Sequence, residues 1–203
     1  MKKNVIRYVF SLMLLLLVTS SCNKADNSDE WQATVTHSSF NSMGSIFQEV
    51  GANKLRNAIN GSNSIAAEMV IKNLASQIVS YFVKQYNVDL RIASIGNPEG
   101  LVILGIAIAE KEYQQEKGIY SGWQSEVLSV ADPSTSSGMS CFVTAVSTLI
   151  GLSQAKAIWA DIVAANFTVT TAVEALTLIG KRVAGVIAVA CMVYSAGECL
   201  GWW

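Results

Sequence analysis

The sequence predicts an all-α or mainly α protein: a small helical domain with an apolar C-terminal helical hairpin or bundle. Three observations carry that expectation. Between Ser64 and Tyr86 apolar residues recur every three or four positions, the spacing of one helix face. Asn97-Pro98-Glu99 reads as a helix start, with Asn as cap and Pro in the first turn. Residues 141–203 carry only Lys156, Lys181, Arg182, Asp161, Glu174 and Glu198 as charges, in a run rich in Ala, Val and Gly.

The elements follow in chain order. Ala33 to Ser62 is rich in Ser, Asn and Gly, with short apolar clusters such as Ile46-Phe47; a short helix is expected from Ser45 to Asn60, after a loop. In the helix from Ser64 to Tyr86, Ala67, Ile71, Leu74, Ile78, Tyr81 and Phe82 form the apolar face. Lys72, Asn73, Ser76, Gln77, Ser80 and Lys84 take the other, and Asn63 or Ser64 can cap the start. Val88 to Ile95 alternates partly and fits a short strand or an extended link. Leu101 to Ala109 is apolar all round, Glu110 to Lys117 is polar, and Gly118 supplies a stop. That pattern predicts a helix buried in its first half and solvated in its second. A strand over Leu101 to Ala109 is the alternative, because periodicity does not separate the two in a short apolar run. Ala131 to Ser140, with Pro, Gly and four Ser, reads as a linker. Beyond it three helical pieces are expected: Cys141 to Leu152, Ser153 to Phe167, and Thr171 to Gly197 with a break at Gly180. Val183 to Gly197 is uncharged, and Ala184 and Ala188 allow another helix to approach closely.

The first thirty residues concern address rather than fold. Lys2, Lys3 and Arg7 precede an apolar run, Tyr8 to Val18, interrupted only by Ser11; Thr19-Ser20-Ser21 then lead to Cys22. A basic end, a short apolar core and a small-residue exit describe a secretion signal. About eleven apolar residues fall well short of the roughly 20 a spanning helix needs. The arrangement resembles bacterial lipoprotein signal peptides, with Thr19 where that family usually has Leu. The resemblance covers residues 1–22 and implies that Cys22 is the lipid attachment site, that 1–21 is removed, and that membrane lipid is a partner through the acyl anchor. Asn23 to Glu30 cannot bury enough apolar surface to fold, so residues 22–32 read as a solvated tether. Its acidic residues, Asp26, Asp29 and Glu30, are similar to the export signals of Bacteroidota surface lipoproteins, and Asn23 is not the aspartate that retains many lipoproteins in the inner membrane. Together these resemblances imply an outer-membrane lipoprotein.

Composition narrows the function classes. Removing 1–21 leaves 182 of the 203 residues, divided by pattern into a mainly helical region, 33–130, the linker 131–140 and the apolar region 141–203. The mature chain keeps 11 of the 14 basic residues against 15 acidic ones, which argues against nucleic acid as a partner. Lipidation leaves Cys141, Cys191 and Cys199, and an exported protein can keep a disulfide. Cys191 and Cys199 are eight residues apart, about 12 Å of rise on one helix. They pair only if the helix breaks near Gly197, so Cys141 is expected to bridge to Cys191 or Cys199, leaving one thiol.

Catalytic patterns are sparse. The single histidine, His37, lies in a Ser/Thr-rich stretch and reads as a solvated loop residue; a hydrolase would need it, with an acid and a nucleophile beside it. Glu110, Glu112 and Glu116 are interleaved with Lys111 and Lys117, as on a solvated surface. No metal-binding, phosphate-loop or nucleophile-elbow motif occurs, so neither cofactor nor metal is implied and no catalytic residue is assigned. Two function classes result. One is a lipid-anchored protein acting by binding or membrane contact. The other is a toxin precursor whose C-terminal third resembles, in composition, hydrophobic bacteriocin peptides. There Trp202, Trp203, Ala184 and Ala188 would contact the membrane, whereas in the first class these helices form a core.

Overall fold

The computed structural model describes residues 31–33, 40–61, 64–118, 140–164, 168–180 and 185–203. Every regular element among them is helical, with no strand. Ser42 opens α1 (Met43–Val50): its side chain accepts the Ser45 N–H at 3.2 Å. Gly51, at φ +73°, turns the chain before α2 (Ala52–Asn60). The single helix expected from Ser45 to Asn60 is therefore two, because a left-handed residue cannot continue the ladder.

The helix expected from Ser64 to Tyr86 is α3 (Ser64–Tyr81) followed by a π-helical turn, Phe82–Tyr86, which Asn87 ends at φ +53°. Val88 to Ile95 forms no strand. Ser94 N–H donates to Leu90 O and Asn97 N–H to Ser94 O, so backbone polar groups are satisfied locally rather than in a ladder. Val88 and Leu90 still point inward and are buried.

Asn97 caps α4 (Pro98–Glu116) by accepting the Gly100 N–H at 2.9 Å. The apolar run Leu101 to Ala109 is helical and buried throughout, which removes the strand alternative. A Cβ on Gly105 would stand 2.6 Å from Ile78 Cδ1 and 3.2 Å from Phe47 Cζ. Only glycine lets α1, α3 and α4 approach this closely. Gly118, at φ +67°, follows the end of α4 as expected.

Ser140 caps α5 (Cys141–Ile150), and Gly151 at φ +88° separates it from α6 (Leu152–Ala164). α7 (Val169–Gly180) ends at the expected break, and α8 (Val186–Leu200) runs through Gly197 to Gly201 at φ +69°. α4 and α8 are the hubs: α4 packs on α1, α3, α5, α6, α7 and α8, and α8 also packs on α2, α3 and α5. One hydrophobic core joins Phe47, Ile71, Phe82 and Ile103 to Phe142, Trp159, Ile179 and Val193. Each such side chain contributes about 1.5–3 kcal/mol on leaving water, and here both regions supply them. The described helices beyond Ser140 thus share one core with those of 43–117. No described helix is long and apolar enough to cross a membrane.

Candidate functional site

Two features of the far end of α4 organise the region where the cysteines lie. The first is a row of three adjacent charged residues. Glu110 is only 2% exposed. Its Oε1 accepts from Gln114 Nε2 at 2.9 Å and Cys141 N–H at 3.0 Å; its Oε2 accepts from Ser140 Oγ at 2.8 Å and from Phe142 N–H. The carboxylate thus sits on the N-terminus of α5, where free N–H groups and the helix dipole favour an anion. Burial pushes its pKa above the usual glutamate value, while the bonds from Phe142, Ser140, Cys141 and Gln114 pull it back.

Glu112 does the same for α1. It accepts the Met43 N–H at 2.7 Å and the hydroxyls of Tyr81 and Tyr86 at 2.9 and 3.0 Å. Burial, then the Glu112 charge, pushes both phenols well above the usual tyrosine range, so both remain donors. Between them Lys111 Nζ donates to Ile162 O at 2.8 Å in the last turn of α6, a cation at the negative end of a helix. Burial lowers the Lys111 pKa. The expected solvated surface over Glu110 and Glu112 is overturned. The helix starts and ends that arrive here supply partners that the local charge alternation does not disclose.

The second feature is covalent. Cys141 and Cys199 form a disulfide, with Cα atoms 5.8 Å apart, and Cys191 is a free, half-buried thiol. Of the two pairings left open by the sequence, the register of α8 against α5 selects this one. Running from the disulfide is an open groove of about 440 Å³ between α5 and α8. Ala145, Leu149, Ala188 and Met192 give it an apolar lining, while Thr144, Thr148 and Ser195 add hydroxyls and Cys191 a thiol. Cys191 and Cys199 stand two turns apart on one continuous helix, about 12 Å in rise, so the thiol lies out of reach of the bridge.

Ala188 lines this groove, half-buried. Trp202 stacks on Phe47, centroids 4.6 Å apart and planes 5° apart. Trp203 lies against Tyr194 and covers Gly197, where a Cβ would stand 2.0 Å from its ring. The two tryptophans, candidates for membrane contact, are folded onto the domain as part of its packing. Cys22, His37 and Ala184 lie outside the described residues, as does the linker up to Ser140. Ser140 itself is buried as the cap of α5. Among the described residues no cluster of His, Cys, Asp and Glu could hold a metal ion.

No family model, no curated protein and no solved structure matches this chain.

Proposed function

We propose that the protein is a lipoprotein of the outer membrane, held by an acylated Cys22 and acting by binding or membrane contact rather than by catalysis. The observation that carries this reading is the export signal that ends on Cys22 before a polar, acidic stretch. One acyl chain holds only marginally, and two or three make the anchor durable.

The packing supports a folded binding module behind that anchor. Val189, Val193 and Ala196 of α8 are buried against helices from the first half of the chain, so the most apolar segment already has its partner. A membrane-active peptide would have to give up that core, which weighs against the toxin reading. The α5–α8 groove, with its mainly apolar lining, is a surface on which a ligand could be held.

The test is metabolic. In a bacterial host that processes lipoproteins, the wild type should incorporate labelled palmitate and Cys22→Ala should not. Equal incorporation by both chains would contradict the anchor.

A further inference from the structure

Resting on the anchor proposed above, we infer that the end of the domain formed by the N-terminal turns of α3 and α4 and the 91–96 turn lies on the bilayer surface.

The described chain begins at Trp31, whose carbonyl accepts the Gly96 N–H at 3.1 Å. That bond fixes where the segment from Cys22 joins the domain: at the turn just before α4. Eight residues lie between Cys22 and Trp31; the nine steps from one to the other span at most about 32 Å, less than the roughly 40 Å breadth of a folded domain of this size. The anchor cannot reach round to the opposite end, so the face at Trp31 is the one drawn to the lipid.

Exposed apolar side chains collect at this same end. Ile92 is 85% exposed, and Ile95 beside it is also exposed. α3 runs parallel to α4, because Ile78 lies against Gly105 and Tyr81 bonds to Glu112 further along. Its first turns therefore stand level with the 91–96 turn, bringing Ile65 and Met69, 68% and 63% exposed. α7 ends here too: Asn97 Nδ2 donates to Leu176 O, with Leu178 exposed two residues on. Single exposed apolar residues are ordinary, but a cluster at one end is not. Among the described charges nearby, Asp89 pairs with Arg91 and Glu68 with Lys72, and the exposed side chains that meet the lipid are apolar. This is also the end opposite Trp202 and Trp203, which follow the C-terminus of α8 beside Cys199.

The test separates this contact from lipidation itself. A chain starting at Asn23 behind a hexahistidine tag, with Cys191→Ser, is held on phosphatidylcholine vesicles containing a nickel-chelating lipid. An environment-sensitive fluorophore is attached at Ile92→Cys or, as control, at Gln115→Cys. Gln115 is exposed near the other end of α4, about 25 Å away. On the vesicles the probe at 92 should shift to the blue and lose most of its emission to spin-labelled lipid, at low and high salt alike. The probe at 115 should do neither. Equal behaviour at both positions, or quenching at 115 alone, overturns the inference. Failure of palmitate labelling would overturn the anchor and leave this measurement intact.

Discussion

Replacing Glu110 by Gln tests the buried charge that organises the α5 start. The side chain keeps its shape, but one acceptor oxygen becomes a donor. Whichever oxygen is replaced, a main-chain N–H is left facing another donor, Cys141 on one side or Phe142 on the other. A buried donor left unmade costs about 1–3 kcal/mol. The remaining bonds weaken once the acceptor is neutral, and about 0.3–1 kcal/mol of helix-dipole attraction goes as well. Relief of the burial penalty on the charge offsets part of this. The net loss should be about 2 kcal/mol at pH 7, or about 4–8 °C in Tm for a domain of this size. The pH dependence follows from the raised folded-state pKa of Glu110. As pH falls towards the usual glutamate value, the folded wild type takes up a proton before the unfolded chain does, so its stability rises relative to the variant. Other carboxylates titrate in both chains and cancel in the difference. Urea unfolding of the unlipidated chain, followed by circular dichroism at pH 7 and pH 5, should show a gap that widens on acidification. A gap under about 0.5 kcal/mol at pH 7, or one that narrows at pH 5, would refute the reasoning.

Two further predictions rest on the same end of the molecule. The unlipidated, denatured but unreduced Cys22→Ala chain should titrate one thiol, Cys191; three would deny the bridge between Cys141 and Cys199. Closing the 58-residue separation should contribute about 4 kcal/mol in the chain-entropy model, a loss to be seen when urea curves are compared with and without reductant. Gly197→Ala should displace Trp203, whose ring stands where the methyl would go. Overpacking of this kind costs about 1–3 kcal/mol, and the near-ultraviolet dichroism of the tryptophans should change with it; an unchanged spectrum would place Trp203 elsewhere.

The helices were readable where one local signal sufficed. Asn97-Pro98 announced α4, Gly118 its stop, and Gly180 the end of α7, because caps and breakers act within a turn of themselves. Gly51 was harder: it splits α1 from α2 inside a segment whose apolar residues are compatible with one helix. The charged stretch from Glu110 to Glu112 carries the pattern of a solvated surface yet is packed against three helices. Its alternation of signs is that of an exposed face, and its partners arrive from Met43, Cys141 and Ile162. A Ser directly before an apolar helix, as at Ser140, was a cap signal inside an apparent linker. The groove could not be read at all, since it depends on how α5 and α8 lie side by side. Cysteine arithmetic narrowed the bridge to two pairings, and only the register of α8 against α5 selects Cys199.

The central claim is that the apolar C-terminal helices are the core of a tethered domain, and hydrogen exchange on α8 tests it most directly. The unlipidated chain is measured in water and again with phosphatidylcholine vesicles. The amides of Val189, Ala190, Met192 and Val193, whose residues are buried in α8, should be among the slowest to exchange and unchanged by lipid. Fast exchange in water that becomes slow only with vesicles would mean that α8 finds its partner in the membrane, contradicting the account.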